Sequence, residues 1–482
     1  MEEIQPVNGA LDEVVKRIEY SSDVPEIAAA VQRDDVMGEI HEPSDHAVKG
    51  VVTQIEGSTD VPEIVAAMRW LHSGSDSNSE IAEKGGIQEV LKAMEAYRLS
   101  AGVQQHGCNT LGRFASSSAD NCVAVAARGG IAAVLRAMAA HGSNTGVQGA
   151  GCKALGHLAF GNVNNCVAIA RKGGIEAVVK AMEAHASSVS VQEKGCAALR
   201  NLASGIVNNR ATIAARGGVE AVLKAMAAHG SSAVVQLMGC CALGHFALSD
   251  SNSEAIAKKG GIQAVIKAME AHGLSAGVQQ YGCNALGQLA SSNADNCVAV
   301  AARGGIESVL TAMEAHGSSE GVQEKGCRVL GILVEDNAFN RFEVARKGGI
   351  EAVLKAMAEQ GSSASVRQWG CYALGHLAFG NIKNRGTIVA KGGLETVLKA
   401  MEAHGSSADV QLWGCRALLS VSSKKGEAVF ISNVQADTRA RLRSGGVAVL
   451  AQKALAAFPE HSQLKNYGKK LLQKLGAGSR CV

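Results

Sequence analysis

Residues 164–203 read NNCVAIARKGGIEAVVKAMEAHASSVSVQEKGCAALRNLA, and three short helices are legible in them. The first spans roughly Asn165 to Lys172, with an Asn as N-cap, because a side-chain oxygen there accepts from a backbone N–H that the helix leaves unpaired. Gly173 and Gly174 end it, since glycine tolerates the left-handed backbone of a sharp turn. The second helix runs from about Ile175 to His185. Its Ile175, Val178, Val179 and Met182 share one face at i, i+3, i+4, i+7 spacing. Glu176 and Lys180 form an i, i+4 pair on the opposite face. After Ser187 and Ser188, Ser190 with Glu193 makes a capping box for a third helix that buries Val191, Cys196, Leu199 and Leu202.

The same unit recurs along the chain. Gly-Gly pairs begin at Gly85, Gly129, Gly173, Gly217, Gly260, Gly304, Gly348 and Gly392, at intervals of 44 residues with a single one of 43. Gly-Cys pairs keep the same beat, with cysteines at Cys108, Cys152, Cys196, Cys240, Cys283, Cys327, Cys371 and Cys415. Eight units in phase define a repeat protein, in which each unit buries its apolar face against its neighbours. A longer period overlies this one. LSAGVQQHGCNTLG at 99–112 returns as LSAGVQQYGCNALG at 274–287, and DNCVAVAARGGI at 120–131 returns at 295–306. Units one to four match units five to eight at an offset of 175 residues, the mark of a duplicated block. Lengthening of this kind favours a long binding surface over a compact active site.

Three helices in about 44 residues, with a glycine hinge after a short first helix, resemble the armadillo repeat; GGIEAVVKAM and GCAALRNLA carry the resemblance, over residues 77 to about 425. The HEAT repeat, of similar period but two helices, is the near alternative. The resemblance implies an all-α fold, a right-handed α-α superhelix, whose third helices line a concave groove that holds segments of partner proteins. Armadillo proteins often carry Asn in that groove; here the position reads Arg113, His157, Asn201, His245, Gln288, Ile332, His376 and Ser420. Four residues earlier lie Asn109, Lys153, Ala197, Cys241, Asn284, Arg328, Tyr372 and Arg416. The nuclear-import receptors, which share this layout, carry Trp at the earlier position, and no Trp stands there. Both ladders of a transport adaptor are therefore missing.

Composition agrees with a layered helical core. Glycine is abundant at 56 residues, proline scarce at 5, and aromatics make up 3%. A formal charge of +3 from 47 basic and 44 acidic residues supplies no general pull toward nucleic acid or an anionic membrane. No apolar run reaches the roughly 18 residues of a membrane span, the N-terminus lacks a signal-peptide pattern, and no lipid-anchor motif is present. A cytoplasmic location follows, with the nucleus open, and the thirteen cysteines are expected as reduced thiols.

Three regions are expected: degenerate helices and a polar linker over 1–72, eight repeats over 73–425, and a longer loop with a capping repeat over 426–482. DVPEIAAAVQRDD and DVPEIVAAMRWLHSG read as degenerate second helices, with 34–58 polar between them. At the other end GGVAVLAQKALAAF (445–458) and HSQLKNYGKKLLQKLG (461–476) replace the usual Gly-Cys by Gly468-Lys469, as a polar terminal face requires. The extra residues before it fall in 424–439.

Candidate chemistry is sparse. Thiols placed one per repeat lie roughly 10 Å apart by helix packing and cannot converge on one ion; they read as small core residues. His141, His185, His229, His272, His316 and His404 end second helices, where a ring meets the helix dipole and packs on the loop. The glycine turns lack the strand and the Lys-Ser/Thr of a phosphate loop, and no nucleophile–base set is legible. The chain therefore reads as a non-catalytic scaffold or adaptor, without cofactor, metal or small-molecule substrate, that binds protein or peptide segments. The varied groove positions and small net charge count against nucleic acid. The candidate groove residues are Arg113, Lys153, His157, Asn201, His245, Gln288, Arg328, Trp369, Tyr372, His376, Trp413 and Arg416. Trp369 and Trp413 stand just before Gly-Cys in adjacent repeats, beside Arg, as in a binding hot spot; the alternative is that they plug gaps between repeats.

Overall fold

Met182 packs on a bare helix backbone, at Gly195, and this contact is repeated through the molecule. The computed structural model describes residues 61–73, 82–291, 293–423 and 446–476. Among these residues there are 26 α-helices and one π turn, and no strand. The expected helix at 23–35, the polar stretch 34–58 and the loop 424–439 lie outside the described residues. The chain divides into two compact units, Met1–His229 and Gly230–Val482, and each is built from the same parts.

In the repeat quoted above the helices are Val163–Arg171, Gly174–Ala184 and Val189–Ala203. The hinge is as expected: Gly173 has φ +80, and the equivalent Gly129, Gly304 and Gly348 have φ +94, +90 and +88. In the capping repeat Gly446, the second of its pair, has φ +72, whereas in the eight repeats only the first glycine of each pair turns left-handed. The second opens the next helix, with its Cα side pressed against the first helix; a Cβ on Gly218 would lie 2.5 Å from Ile213 Cγ2.

Three details of the sequence reading are corrected. The first helix is capped by Asn162, whose Oδ1 accepts from Asn165 N at 3.0 Å; Asn165 itself lies inside the helix. The third helix is capped by Ser188, which accepts from Val191 N, whereas Ser190 accepts from Lys194 Nζ. Glu176 pairs with Arg216 of the next repeat at 2.9 Å rather than with Lys180. The two caps are local contacts that begin the helices two or three residues earlier than the spacing predicts. The ion pair has a different cause: Arg216 of the neighbouring repeat lies within reach of Glu176, which the local sequence does not show.

Polar clamps tie the helices together. Gln192 Nε2 donates to the Met182 and His185 carbonyls at 2.9 Å each, closing the end of the second helix onto the third. Gln104, Gln148, Gln279, Gln323 and Gln411 do the same in their repeats. Asn165 Nδ2 donates to Leu158 O at 3.0 Å and to Cys122 O of the preceding repeat at 3.3 Å. Each such bond contributes about 1 kcal/mol net, and an unmade one costs more because the group stays buried. The second-helix histidines look backward instead of onto their own helix dipole. His185 Nε2 donates to Gly142 O at 2.8 Å, and in the second unit His316 donates to Gly273 O at 2.7 Å. A carbonyl can only accept, so these rings carry their proton on Nε2.

Third helices pack on third helices. Thr145–Ala159 lies between Ala101–Ser117 and Val189–Ala203 in the first unit, and Ala364–Ala378 between Glu320–Val334 and Ala408–Val421 in the second. Glycine permits the approach: a Cβ on Gly156 would lie 3.3 Å from Ala198 Cα, and one on Gly375 3.3 Å from Ala417 Cα. The helix Val61–Ser73 also packs on Ala101–Ser117, and Thr110 Oγ1 donates to Met68 O at 3.3 Å. It thus takes the place of a third helix, not of the degenerate second helix expected from sequence. At the other end, Ser462–Leu475 packs on Ala408–Val421 and buries Leu464, Leu471, Leu472 and Leu475. Its far side exposes Lys465, Lys469, Lys470 and Gln473, so Lys stands where a buried Cys would need a following repeat.

Two tests follow from this packing. On Gly326 a Cβ would lie 2.5 Å from Met313 Cγ. Gly326→Ala should therefore destabilise by roughly 1–3 kcal/mol through overpacking, despite the roughly 1 kcal/mol that alanine gains in a helix interior. Combined with Met313→Ala in a double-mutant cycle, it should show coupling above about 0.5 kcal/mol in urea unfolding; simple additivity would contradict the contact. In repeat seven Arg367 replaces the clamping glutamine; it is 8% exposed, its Nε has no partner, and burial lowers its pKa. Arg367→Gln should restore both bonds and raise stability by about 1 kcal/mol, read as a higher thermal midpoint.

Candidate partner-binding face

The third helices place three rows of side chains on one face, at the residue before each Gly-Cys glycine, two after it and six after it. In the first unit these rows hold His106, Ala150 and Lys194, then Asn109, Lys153 and Ala197, then Arg113, His157 and Asn201. Lys153 is half-buried; burial pulls its pKa down, and Lys194 and Arg113 nearby pull it further. His157 is likewise held low by burial, partly offset by its bond to the Gly112 carbonyl at 2.9 Å, and lowered again by Lys153 and Arg113. Asn201 occupies the position of the armadillo groove Asn, but its Nδ2 donates to Gly156 O at 2.9 Å. His157 and Asn201 are therefore engaged in holding adjacent repeats together.

In the second unit the same rows build an aromatic cluster. Tyr372, 6% exposed, lies between the two indoles: its ring centroid is 5.4 Å from Trp369 and 4.8 Å from Trp413, both edge-on. Edge-to-face pairs of this kind add about 0.5–1.5 kcal/mol beyond the area buried. Tyr372 packs on Gly331, where any Cβ would run into its ring, and its hydroxyl donates to Glu335 Oε2 at 2.8 Å. Burial and Glu335 both push the phenol upward in pKa, so it stays protonated and donating. The plug between repeats is thus Tyr372, while Trp369 and Trp413 remain half-exposed beside it.

Arginines lie against the indoles. Arg328 stands 5.3 Å from the centre of Trp369, and Arg416 5.2 Å from Trp413 and 5.6 Å from Tyr467 of the capping repeat. Such contacts are worth about 0.5–2 kcal/mol each. Arg328 is also held by repeat five, donating to Asn284 Oδ1 at 3.4 Å and, with the Gln288 amide oxygen turned toward it, to Gln288 at 3.1 and 3.2 Å. Among the described residues neither Arg328 nor Arg416 forms a salt bridge.

The structure therefore brings Gln288, Arg328, Trp369, Tyr372, His376, Trp413 and Arg416 into one cluster, and Arg113, Lys153 and His157 into a second. His245 is half-buried on Ala233–Phe246. Glu335 and Tyr467, which complete the larger cluster, were not singled out in the sequence. The row pattern marks Tyr467 at the residue before Gly468, but no pattern marks Glu335, which lies beyond its helix end. The Gly-Cys thiols are buried on the other side of these helices. Burial pushes Cys108, Cys152, Cys196, Cys283, Cys371 and Cys415 up to about 12, so they are protonated at neutral pH.

Residues 82–444 match the family model of the LRRK2 ARM repeat, and the chain belongs to this armadillo-repeat family. Among solved structures, an engineered protein is 24% identical with a TM-score of 0.73, the match covering 90% of this chain and 99% of that one. A chain from a structure of the phosphorylation-controlled interaction between cadherin and beta-catenin is 15% identical with a TM-score of 0.61, covering 98% and 99%. Both likenesses speak to the fold, an armadillo-type stack of three-helix repeats. No curated protein sequence matches the chain.

His376 offers a direct check of the cluster. Burial, then Arg416, hold its pKa down to about 3, with the Glu335 carbonyl bond partly opposing. In the unfolded chain the ring titrates near 6.5. Between those values the unfolded state binds a proton that the folded state does not, so stability falls as pH drops from about 6.5 toward 3. His376→Gln should lose less stability than wild type between pH 7 and pH 5 in parallel urea titrations. Equal losses would mean that the ring is not held neutral.

Proposed function

We propose that the chain is a non-catalytic protein-interaction scaffold whose third-helix face binds extended or helical segments of partner proteins. The observation that carries this reading is the cluster in the second unit. Two half-exposed indoles flank a buried tyrosine, and each has an arginine against its face. Exposed Trp and Arg set in a rigid frame have the composition of interface hot spots. The frame is rigid because Tyr372 and the inter-repeat hydrogen bonds fix it, so little ordering entropy opposes binding. Membership of a repeat family that is generally non-catalytic supports the same reading. The described cysteines are free thiols, which suits the reducing environment of cytosol or nucleus.

Among the described residues no single helix is long and apolar enough to cross a membrane. The transport-adaptor alternative draws no support from the groove, where the one matching asparagine, Asn201, is already bonded to Gly156.

The test is selection of peptides from a random display library on the intact chain, followed by affinity measurement by fluorescence anisotropy. Trp369→Ala and Trp413→Ala should each weaken the selected peptides by about tenfold or more, with the far-UV circular dichroism unchanged. Recovery of no peptide, or loss of helicity in both variants, would remove the basis for the proposal.

A further inference from the structure

The charge of the third-helix face differs from that of the whole chain. From Tyr281 to Lys474 the three rows contain Lys325, Arg328, Arg416, Lys470 and Lys474, and no Asp or Glu, although the chain as a whole has 47 basic and 44 acidic residues. Glu324 and Glu335, beside the rows, are both engaged. Glu324 accepts from Lys325 Nζ at 2.7 Å, and Glu335 accepts from the Tyr372 hydroxyl at 2.8 Å.

The stacking of the two guanidiniums decides what such a face can take. An aromatic face attracts one cation, and here Arg328 and Arg416 already stand against Trp369 and Trp413. A Lys or Arg arriving from a partner meets like charge beside each ring. A guanidinium resting against a ring keeps N–H donors at its edge, and those donors fit a carboxylate in bidentate fashion. Neither arginine has a salt bridge among the described residues, and Arg328 is held by the neutral amides of Asn284 and Gln288, so an incoming carboxylate competes there with neutral acceptors only.

We propose that this face of the second unit binds an acidic polypeptide segment, whose carboxylates engage Arg328 and Arg416 while its apolar side chains rest on the exposed parts of Trp369 and Trp413, and that it excludes basic segments. The proposal rests on the scaffold reading above and adds the chemistry of the partner.

The experiment is the charge composition of the peptides that a random display library yields on the full chain, compared with those on Arg328→Glu/Arg416→Glu and on the milder Arg328→Gln/Arg416→Gln. Far-UV circular dichroism confirms folding, and the Gln pair serves if the Glu pair does not fold. Wild type should select peptides enriched in Asp and Glu. Single Arg→Gln changes should weaken them roughly tenfold each, and affinity should fall with added salt. The enrichment should disappear on the doubly substituted chain.

A wild-type pool that is neutral or basic, but still dependent on Trp369 and Trp413, would overturn the acidic assignment and leave the scaffold reading standing. Tight binding of poly(U) RNA that is lost in the same variants would overturn it in favour of a nucleic acid. Recovery of no peptides at all would overturn both readings.

Discussion

The contact between a methionine and a helix without side chain sets the geometry of each repeat. Met313 Cγ and Sδ occupy the space that a Cβ on Gly326 would fill, and the same holds for Met269 on Gly282 and Met401 on Gly414. With the second helix drawn this close, the glutamine three residues before the glycine reaches the second helix's last carbonyls, as Gln323 reaches Met313 O and His316 O. The residue after the glycine must then be small and apolar, and Cys satisfies both needs. One missing methyl group thus accounts for the Gly-Cys pair, the buried Gln and the invariant Met together. It also explains a core with so few aromatics, because helices held at this distance leave little room for rings.

Stacking of one repeat on the next uses different chemistry. Asn165, His185 and Asn201 all direct a donor into the preceding repeat, toward Cys122 O, Gly142 O and Gly156 O. Apolar packing between third helices supplies area but little orientation, whereas these bonds fix register. The face left over after both tasks is the variable one. There Trp369 and Trp413 stand half-exposed with Arg328 and Arg416 against them, and partner specificity has room to evolve at the two indoles without disturbing the frame.

The local elements were legible because single residues carry them. A left-handed turn requires glycine, so Gly129, Gly173 and their equivalents mark every hinge, and the buried set Ile175, Val178, Val179 and Met182 follows from helical spacing alone. Long-range partners were not legible. Glu176 finds Arg216 forty residues away, His185 finds a carbonyl 43 residues back, and Glu335 reaches Tyr372 across 37 residues. Val61–Ser73 shows the same limit, since helical spacing cannot say whether a segment packs as a second or a third helix. The aromatic cluster was half-visible. Its members share a row, but only the structure shows Tyr372 as the buried plug with the indoles beside it.

The backward-pointing histidines also bear on mechanics. Within each unit the rings that donate to the preceding loop, such as His272 to Gly230 O and His316 to Gly273 O, are joined one after another along the stacking direction. Bonds arranged in series share a pulling force instead of dividing it, so each junction yields by a small amount and the small extensions add. Stretching of such a stack would then be spread over its junctions and not concentrated at one of them. A partner that spans several repeats would stiffen it, and tension on the chain would in turn alter the spacing of the side chains that the partner reads.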